Sequence, residues 1–351
     1  MIWIKTLVVQ GLITISMFFS ADFFYTKFFF VETDNEKIYR IRHNVFHHTL
    51  SSSYNGTGKW DKIYDVCTDN NGFKSSCEDS NNESKHFDIA FIGDSFTEAV
   101  GMDYNNSFVG MFANDFPYTT VANLGVSSYS PTIYYSKIKW LLEHGYKFDH
   151  IYVFVDISDI QDESVYGAGL RKFTVVRRLR TFMRENFRLL RTGYIFFQNI
   201  SFEKVEQADE EVEQADIYTI DLSAWTYDIN AKGYGDIGVS GSVDKAVLQM
   251  TALYDLLRSN GIKLSVGVYP WPAQLHEIKH SPDRENMQSQ IWRSFCEQRC
   301  ENFVDLFPRY AELVETYGVD QVYSDYFIPG DVHYNVEGNR LIYEEIIKAT
   351  R

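Results

Sequence analysis

From residue 86 to residue 347 the chain alternates short apolar runs with longer amphipathic stretches, and that alternation restricts it to a parallel sheet covered by helices. Neighbouring parallel strands need a crossover of about a dozen residues or more, which a helix packed on the sheet supplies. Five runs read as strands: Phe87–Ile92, Thr119–Leu124, His150–Val155, Lys263–Val268 and Asn302–Leu306. Helical spacing of apolar residues covers Ser107–Asp115, Thr132–His144, Ser242–Asn260, Glu285–Cys300 and Val336–Ala349. Gly145 and Gly261 follow two of these stretches, where a C-terminal cap is expected. The expected domain, 86–351, is a three-layer α/β/α unit around a five-stranded parallel sheet.

Three segments fall outside the alternation. Gln161–Gly241 is too long for an ordinary crossover, so an inserted helical cap is expected there. Its first half, Arg171–Asn199, is basic and amphipathic, and Glu206–Asp216 is acidic. A solvated helix face followed by an acidic loop accounts for both, with contact to anionic lipid or glycan as the functional alternative. Residues 32–85 are polar, rich in Asn, Ser and Asp, and read as an irregular ordered arm. Residues 1–31 carry the apolar run Thr6–Ala21 behind Lys5, extended by Phe23, Phe24, Tyr25 and Phe28 to Phe30. That pattern reads as export. Phe19 stands where a cleavage site ending at Ala21 needs a small residue, so the segment is expected to remain as an anchor, with a cytoplasmic N-terminus and an exported body.

The formal net charge of -15 repels a phosphate backbone and argues against a nucleic-acid partner. Four cysteines fall in two local pairs, Cys67 with Cys77 and Cys296 with Cys300, without the second pair or histidines of a zinc site. Two short-loop disulfides are expected, in keeping with an oxidising compartment.

The chemistry lies at the two ends of the domain. The first strand runs into Gly93-Asp94-Ser95-Phe96-Thr97-Glu98, which puts a serine at the carboxyl end of a parallel strand and the start of a helix. Open α/β sheets bind ligands there, and the Ser95 amide is placed to stabilise negative charge. The bland alternative is that Ser95 only begins a helix and Asp94 fixes its turn. Near the other end, Asp331-Val332-His333 precedes the last helix. It supplies the base and the orienting carboxylate that a nucleophilic serine needs. Asp156, Asp159, Asp162 and Glu163 lack the spacing of a cation loop, so they are expected to form a structural network; no metal or other cofactor is expected.

Together these blocks resemble the SGNH/GDSL hydrolases. GDSFTE at Gly93–Glu98 is similar to that family's first block, Asn123-Leu124-Gly125-Val126-Ser127 to its second, and Asp331-Val332-His333 with Asn335 and Gly338 to its last. The resemblance covers most of 86–347 apart from the cap and implies a flavodoxin-like fold. It implies Ser95 as nucleophile, His333 as base, Asp331 as its orienter, and an oxyanion hole formed by the Ser95 and Gly125 amides. Two departures stand out. The family's third block offers Gly-x-Asn-Asp, whereas here Asp156-Ile157-Ser158-Asp159 puts Ser158 at the asparagine position, as the expected third oxyanion donor. The Asp-x-His spacing replaces Asp-x-x-His and resembles the branch that includes proteins of bacterial alginate O-acetylation.

A looser resemblance to exported SGNH proteins of bacterial surface-polysaccharide synthesis rests on Tyr39-Arg40-Ile41-Arg42-His43, Asn71-Gly72-Phe73-Lys74 and Asp156–Glu163. It implies a glycan substrate and a bacterial envelope; with the anchor read from residues 1–31, the expectation is a single-pass protein of a bacterial inner membrane with its domain in the periplasm or outside the cell. The activity implied is that of a serine esterase on O-acyl, chiefly O-acetyl, groups of a cell-surface polysaccharide. The alternatives are a polysaccharide O-acetyltransferase and a non-catalytic glycan-binding or assembly protein. The implied partners are an acylated glycan, the inner membrane and proteins of polysaccharide assembly.

Overall fold

The computed structural model describes residues 2–28, 39–78, 82–166, 221–280 and 286–350. The chain divides into two compact units, Met1–Asp34 with Arg171–Ala215, and Asn35–Leu170 with Asp216–Arg351. In the first, the described part is the 27-residue helix α1 (Ile2–Phe28), where Asp22 is buried and accepts a hydrogen bond from Thr26 at 3.3 Å. Among the described residues no helix is long and apolar enough to cross a membrane. Asp22 and Lys27 interrupt the apolar character of α1. The central part of the expected cap, residues 167–220, lies outside the described residues.

The second unit begins with strands where the sequence reads as irregular. β1 (Arg40–His43) and β2 (His47–Leu50) form an antiparallel ribbon. β3 (Asn55–Lys59), β4 (Ile63–Thr68) and β5 (Lys74–Ser75) pair antiparallel in succession. The five expected strands follow as β6 (His86–Ile92), β7 (Val121–Asn123), β8 (Lys147–Phe154), β9 (Lys263–Val268) and β10 (Phe303–Asp305). One eight-stranded sheet has the order β10-β9-β8-β6-β7-β5-β4-β3, with the pairing of Lys74 to Asn123 joining its two parts. The five-stranded sheet and the irregular arm are therefore both corrected: the five parallel strands are present, and the arm adds three antiparallel ones. The arm strands escape notice because β3 is Asn-Gly-Thr-Gly-Lys and β5 has two residues, so neither contains an apolar run.

The parallel strands follow the doubly wound order. From β6 the chain steps outward to β7 and then returns to β8 on the other flank, so the switch point lies at the carboxyl ends of β6 and β8. Both strands are buried at those ends, and Phe91 of β6 stacks on Tyr152 of β8 at 5.2 Å. The helices are α2 (Ser95–Glu98), α3 (Phe108–Asp115), α4 (Pro131–Glu143), α5 (Ile157–Val165), α6 (Gly238–Ser259), α7 (Pro272–His280), α8 (Met287–Cys296), α9 (Phe307–Tyr317), α10 (Val319–Tyr326) and α11 (Val336–Ala349). Helices α4, α5 and α6 pack on one another, α3 packs on α11, and α7 packs on α9. Asn335 caps α11 by accepting from the Glu337 and Gly338 amides, which places its start where the sequence does.

Both expected disulfides form. Cys67–Cys77 ties β4 to the segment after β5, and Cys296–Cys300 closes the end of α8.

Lys137 of α4 fixes the arm to the sheet. Its buried ammonium donates to Leu124 O at 2.9 Å and faces the Phe46 and Tyr129 rings at 5.7 and 4.9 Å. Burial depresses its pKa to about 7, against the opposing pull of Glu98 and Asp69. The unfolded chain thus binds a proton at this residue, and the folded chain does not, between pH about 7 and the ordinary lysine value near 10.5. Stability from this group therefore rises with pH across that window. Lys137→Met lacks that rise, so its melting temperature relative to wild type should fall between pH 6 and pH 10. A difference that stays constant with pH would refute the assignment.

Candidate active site

The turn after β6 begins with Gly93, where a Cβ would lie 2.1 Å from Thr97 Oγ1. Only glycine lets the strand turn this tightly into α2. Asp94 caps that helix, its carboxylate accepting from the Phe96 amide at 3.0 Å. Ser95 follows as the first helical residue, whose amide has no partner inside the helix.

The loop before α11 meets it from the far end of the sequence. An antiparallel bridge between Phe327 and Tyr334 closes the loop, and the Asp331 amide donates to the Tyr323 hydroxyl at 3.0 Å. Asp331 Oδ1 accepts from the His333 amide at 2.9 Å and lies 2.6 Å from His333 Nδ1. The Asp-x-His spacing thus has a local cause, since one carboxylate oxygen closes a turn onto the second residue on and reaches the same residue's ring. His333 Nε2 lies 2.8 Å from Ser95 Oγ, and the Phe96 ring packs on the imidazole at 4.7 Å. The structure therefore brings Ser95, His333 and Asp331 into one hydrogen-bonded chain.

Burial pushes the Asp331 carboxyl upward, but hydrogen bonds from the His333 ring, that ring's charge, the His333 amide and Trp60 outweigh it and bring it down to about 2. At neutral pH Asp331 is ionised and can only accept, so the proton between the two groups belongs to His333 Nδ1. His333 Nε2 then faces Ser95. The serine hydroxyl has a second acceptor in Asp94 Oδ2, but at 3.3 Å.

The two further oxyanion donors expected from sequence are engaged elsewhere. The Gly125 amide donates to Asn123 Oδ1 at 3.0 Å, and a Cβ at this glycine would lie 2.6 Å from the Glu98 amide. Its glycine is required by close packing against α2. Ser158 donates from both its amide and its hydroxyl to Asp156 Oδ1, each at 2.7 Å, because Asp156 is the N-cap of α5. Asp159 accepts from the Tyr134 hydroxyl at 2.8 Å, and Glu163 from Ser130, Thr132 and Lys245.

Asp94, Asp156 and Asp159 form a buried cluster behind Ser95, with ligand atoms within 4.8 Å of one another. Burial, then the neighbouring charge of Asp156, holds the Asp94 and Asp159 carboxyls well above the usual range.

Ser95 and His333 open into a pocket of about 360 Å³ lined also by Arg40, Trp60, Ser127 and Tyr166. Arg40 comes from the arm and forms a two-pronged ion pair with buried Glu98, at 2.7 and 2.8 Å. Glu98 also accepts from the Ser127 amide at 2.7 Å. On the same wall His48 Nε2 lies 2.7 Å from Ser127 O, and burial lowers the His48 ring to about 4. Trp60, in the loop between β3 and β4, donates its indole N–H to Asp331 Oδ2 and meets His333 edge-on at 5.5 Å. Sequence reasoning assigns Trp60 and His48 no role; it includes Arg40 and Glu98 in motif blocks without a partner for either.

Arg40→Met leaves Glu98 buried and unpaired, which should cost about 3–5 kcal/mol in urea unfolding. Adding Glu98→Gln should recover most of that loss. A loss of less than about 1 kcal/mol in the single variant would show that the pair is effectively solvated.

No family model matches the chain, and a search of curated proteins finds no match. Solved structures do align with it. A member of the lipolytic G-D-S-L family from Veillonella parvula shares 14% identity over 75% of this chain and 98% of its own, with a TM-score of 0.40. An acetylxylan esterase from Geobacillus stearothermophilus shares 11% over 75% of this chain and 93% of its own, at 0.41. The psychrotrophic esterase from a Pseudoalteromonas species shares 11% over 76% and 97%, at 0.39. At such identities and TM-scores these likenesses stand as observations, and the functional reading rests on the residues of the site.

Proposed function

We propose that the protein is a serine esterase that removes short acyl groups, chiefly acetyl, from hydroxyls of a cell-surface polysaccharide. The observation that carries this reading is the continuous chain from Ser95 Oγ through His333 to an ionised Asp331, opening into a pocket. A structural role for Ser95 alone requires neither the imidazole nor the carboxylate behind it. Trp60 and Tyr166 on the pocket wall favour a sugar ester, since their rings offer apolar faces beside polar groups.

In this mechanism Ser95 Oγ attacks the acyl carbonyl carbon while His333 Nε2 takes the hydroxyl proton. Asp331 stabilises the imidazolium that forms, and the Ser95 amide donates to the oxyanion. Collapse of the tetrahedral intermediate breaks the bond to the sugar oxygen, which leaves with the proton from His333. Water then attacks the acyl-enzyme, giving its proton to His333, and release of the carboxylic acid restores Ser95. Gly125 and Ser158 take no part, because their donors already have acceptors.

The reading includes export and retention through residues 1–31. The two disulfides support an oxidising compartment. Carbonate washing of membranes checks this: the full chain should stay in the pellet, and quantitative release would remove the anchor.

A fluorophosphonate probe should label wild type and not Ser95→Ala. Equal labelling of both, or of neither, would sink the esterase reading. On an acetylated chromogenic ester, Ser158→Ala should keep its turnover within about twofold, whereas loss of an oxyanion donor costs about a hundredfold or more.

A further inference from the structure

We infer that Trp60 is a positioning residue of the hydrolytic site, holding Asp331 in the orientation that fixes the His333 ring. The inference rests on the esterase reading for its kinetic consequence, but its structural core stands on geometry. Asp331 has two oxygens, and His333 occupies only Oδ1, through its amide at 2.9 Å and its Nδ1 at 2.6 Å. The indole N–H of Trp60 takes Oδ2. With both oxygens held from different directions, the carboxylate cannot rotate about its Cβ–Cγ bond without losing a charge-assisted hydrogen bond. The same indole meets the imidazole edge-on at 5.5 Å and 88°, so one side chain limits the motion of both groups.

Trp60 is itself set in place. It is the first residue of the loop joining β3 to β4, and its amide donates to Lys62 O at 3.1 Å. On its other side the ring packs on Gly101, where an added Cβ would lie 3.3 Å from the indole. A tryptophan kept only for core packing would be buried, whereas Trp60 is 37% exposed and lines the pocket. A phenyl ring would cover the same surface without an N–H. The indole donor is what distinguishes positioning from packing.

Trp60→Phe provides the test. If Trp60 positions Asp331, this variant should lose about tenfold or more in kcat on an acetylated chromogenic ester, with KM changed by less than about twofold. The acid limb of its pH–rate profile should also move to higher pH, because an Asp331 carboxylate with one donor fewer holds the protonated imidazole more tightly. Wild-type kcat and pH profile, or a change confined to KM, would overturn the inference. A second measurement uses a folded wild-type position 60 and does not depend on turnover: Asp331→Asn should shift the indole N–H resonance of Trp60 in a nitrogen-edited NMR spectrum. An unmoved Trp60 resonance would refute the contact whatever the chain hydrolyses. A shifted resonance in a protein whose Ser95 resists fluorophosphonate would keep the contact and remove the esterase reading instead.

Discussion

The site depends on one buried carboxylate. Glu98 lies three residues after Ser95, on the four-residue helix that presents Ser95, and is 1% exposed. Taking a carboxylate out of water costs several kcal/mol unless close charge and hydrogen bonds replace its hydration. Arg40 supplies both prongs of a guanidinium fork, and the Ser127 amide supplies a third donor. One side chain therefore joins the arm, the helix that begins at Ser95 and the loop after β7. Arg40 is 58 residues from Glu98, so the short helix owes much of its position to a segment outside the parallel sheet.

The arm is consequently part of the active-site wall. Lys74 of β5 donates to Ala99 O at 2.7 Å, next to the end of α2, and Trp60 reaches Asp331 from the β3–β4 loop. These contacts follow from the three antiparallel strands that extend the sheet beyond β7. The edge that an isolated five-stranded sheet would expose there is paired. The hairpin loop carrying Trp60 is in turn held at the carboxyl side of the strands, where Ser95 and His333 meet.

What the sequence reveals follows from which physical signals are local. Parallel strands buried on both faces must be apolar throughout, so β6, β8 and β9 are legible. The Asn335 cap makes the start of α11 legible for the same reason. The arm strands carry no such run. Within the site, Ser95, Asp331 and His333 are legible from residue type and spacing. At Gly125 and Ser158 the sequence names the donors without naming their acceptors, Asn123 and Asp156. The structure shows a shared pattern that resolves this: Asp94 accepts from the Phe96 amide, Asn123 from Gly125, Asp156 from Ser158, and Asp331 from His333. In each case an Asp or Asn captures the amide two residues on and fixes a turn after a strand or before a helix. Where the captured residue is His333, the turn brings the imidazole to Ser95; where it is Gly125 or Ser158, the captured amide has an acceptor beside it.

The charge of the cluster behind Ser95 bears directly on the oxyanion of the proposed reaction. Asp94 Oδ2 is 3.3 Å from Ser95 Oγ. An ionised carboxylate at about 4 Å repels a developing negative charge by about 4 kcal/mol at an effective dielectric of about 20. That equals or exceeds what one oxyanion-hole amide provides, about 3–4 kcal/mol. Burial, reinforced by the nearby charge of Asp156, pushes the Asp94 carboxyl well above the usual range, in the direction that lessens that repulsion. Asp331 is the opposite case: it is partly buried, yet donors from His333 and Trp60 bring its carboxyl down to about 2 and keep it ionised where positive charge develops on the imidazole. Two carboxyls at one site are thus pushed in opposite directions, Asp94 upward by burial and the charge of Asp156 and Asp331 downward by its donors, and the proposed acyl transfer uses both shifts.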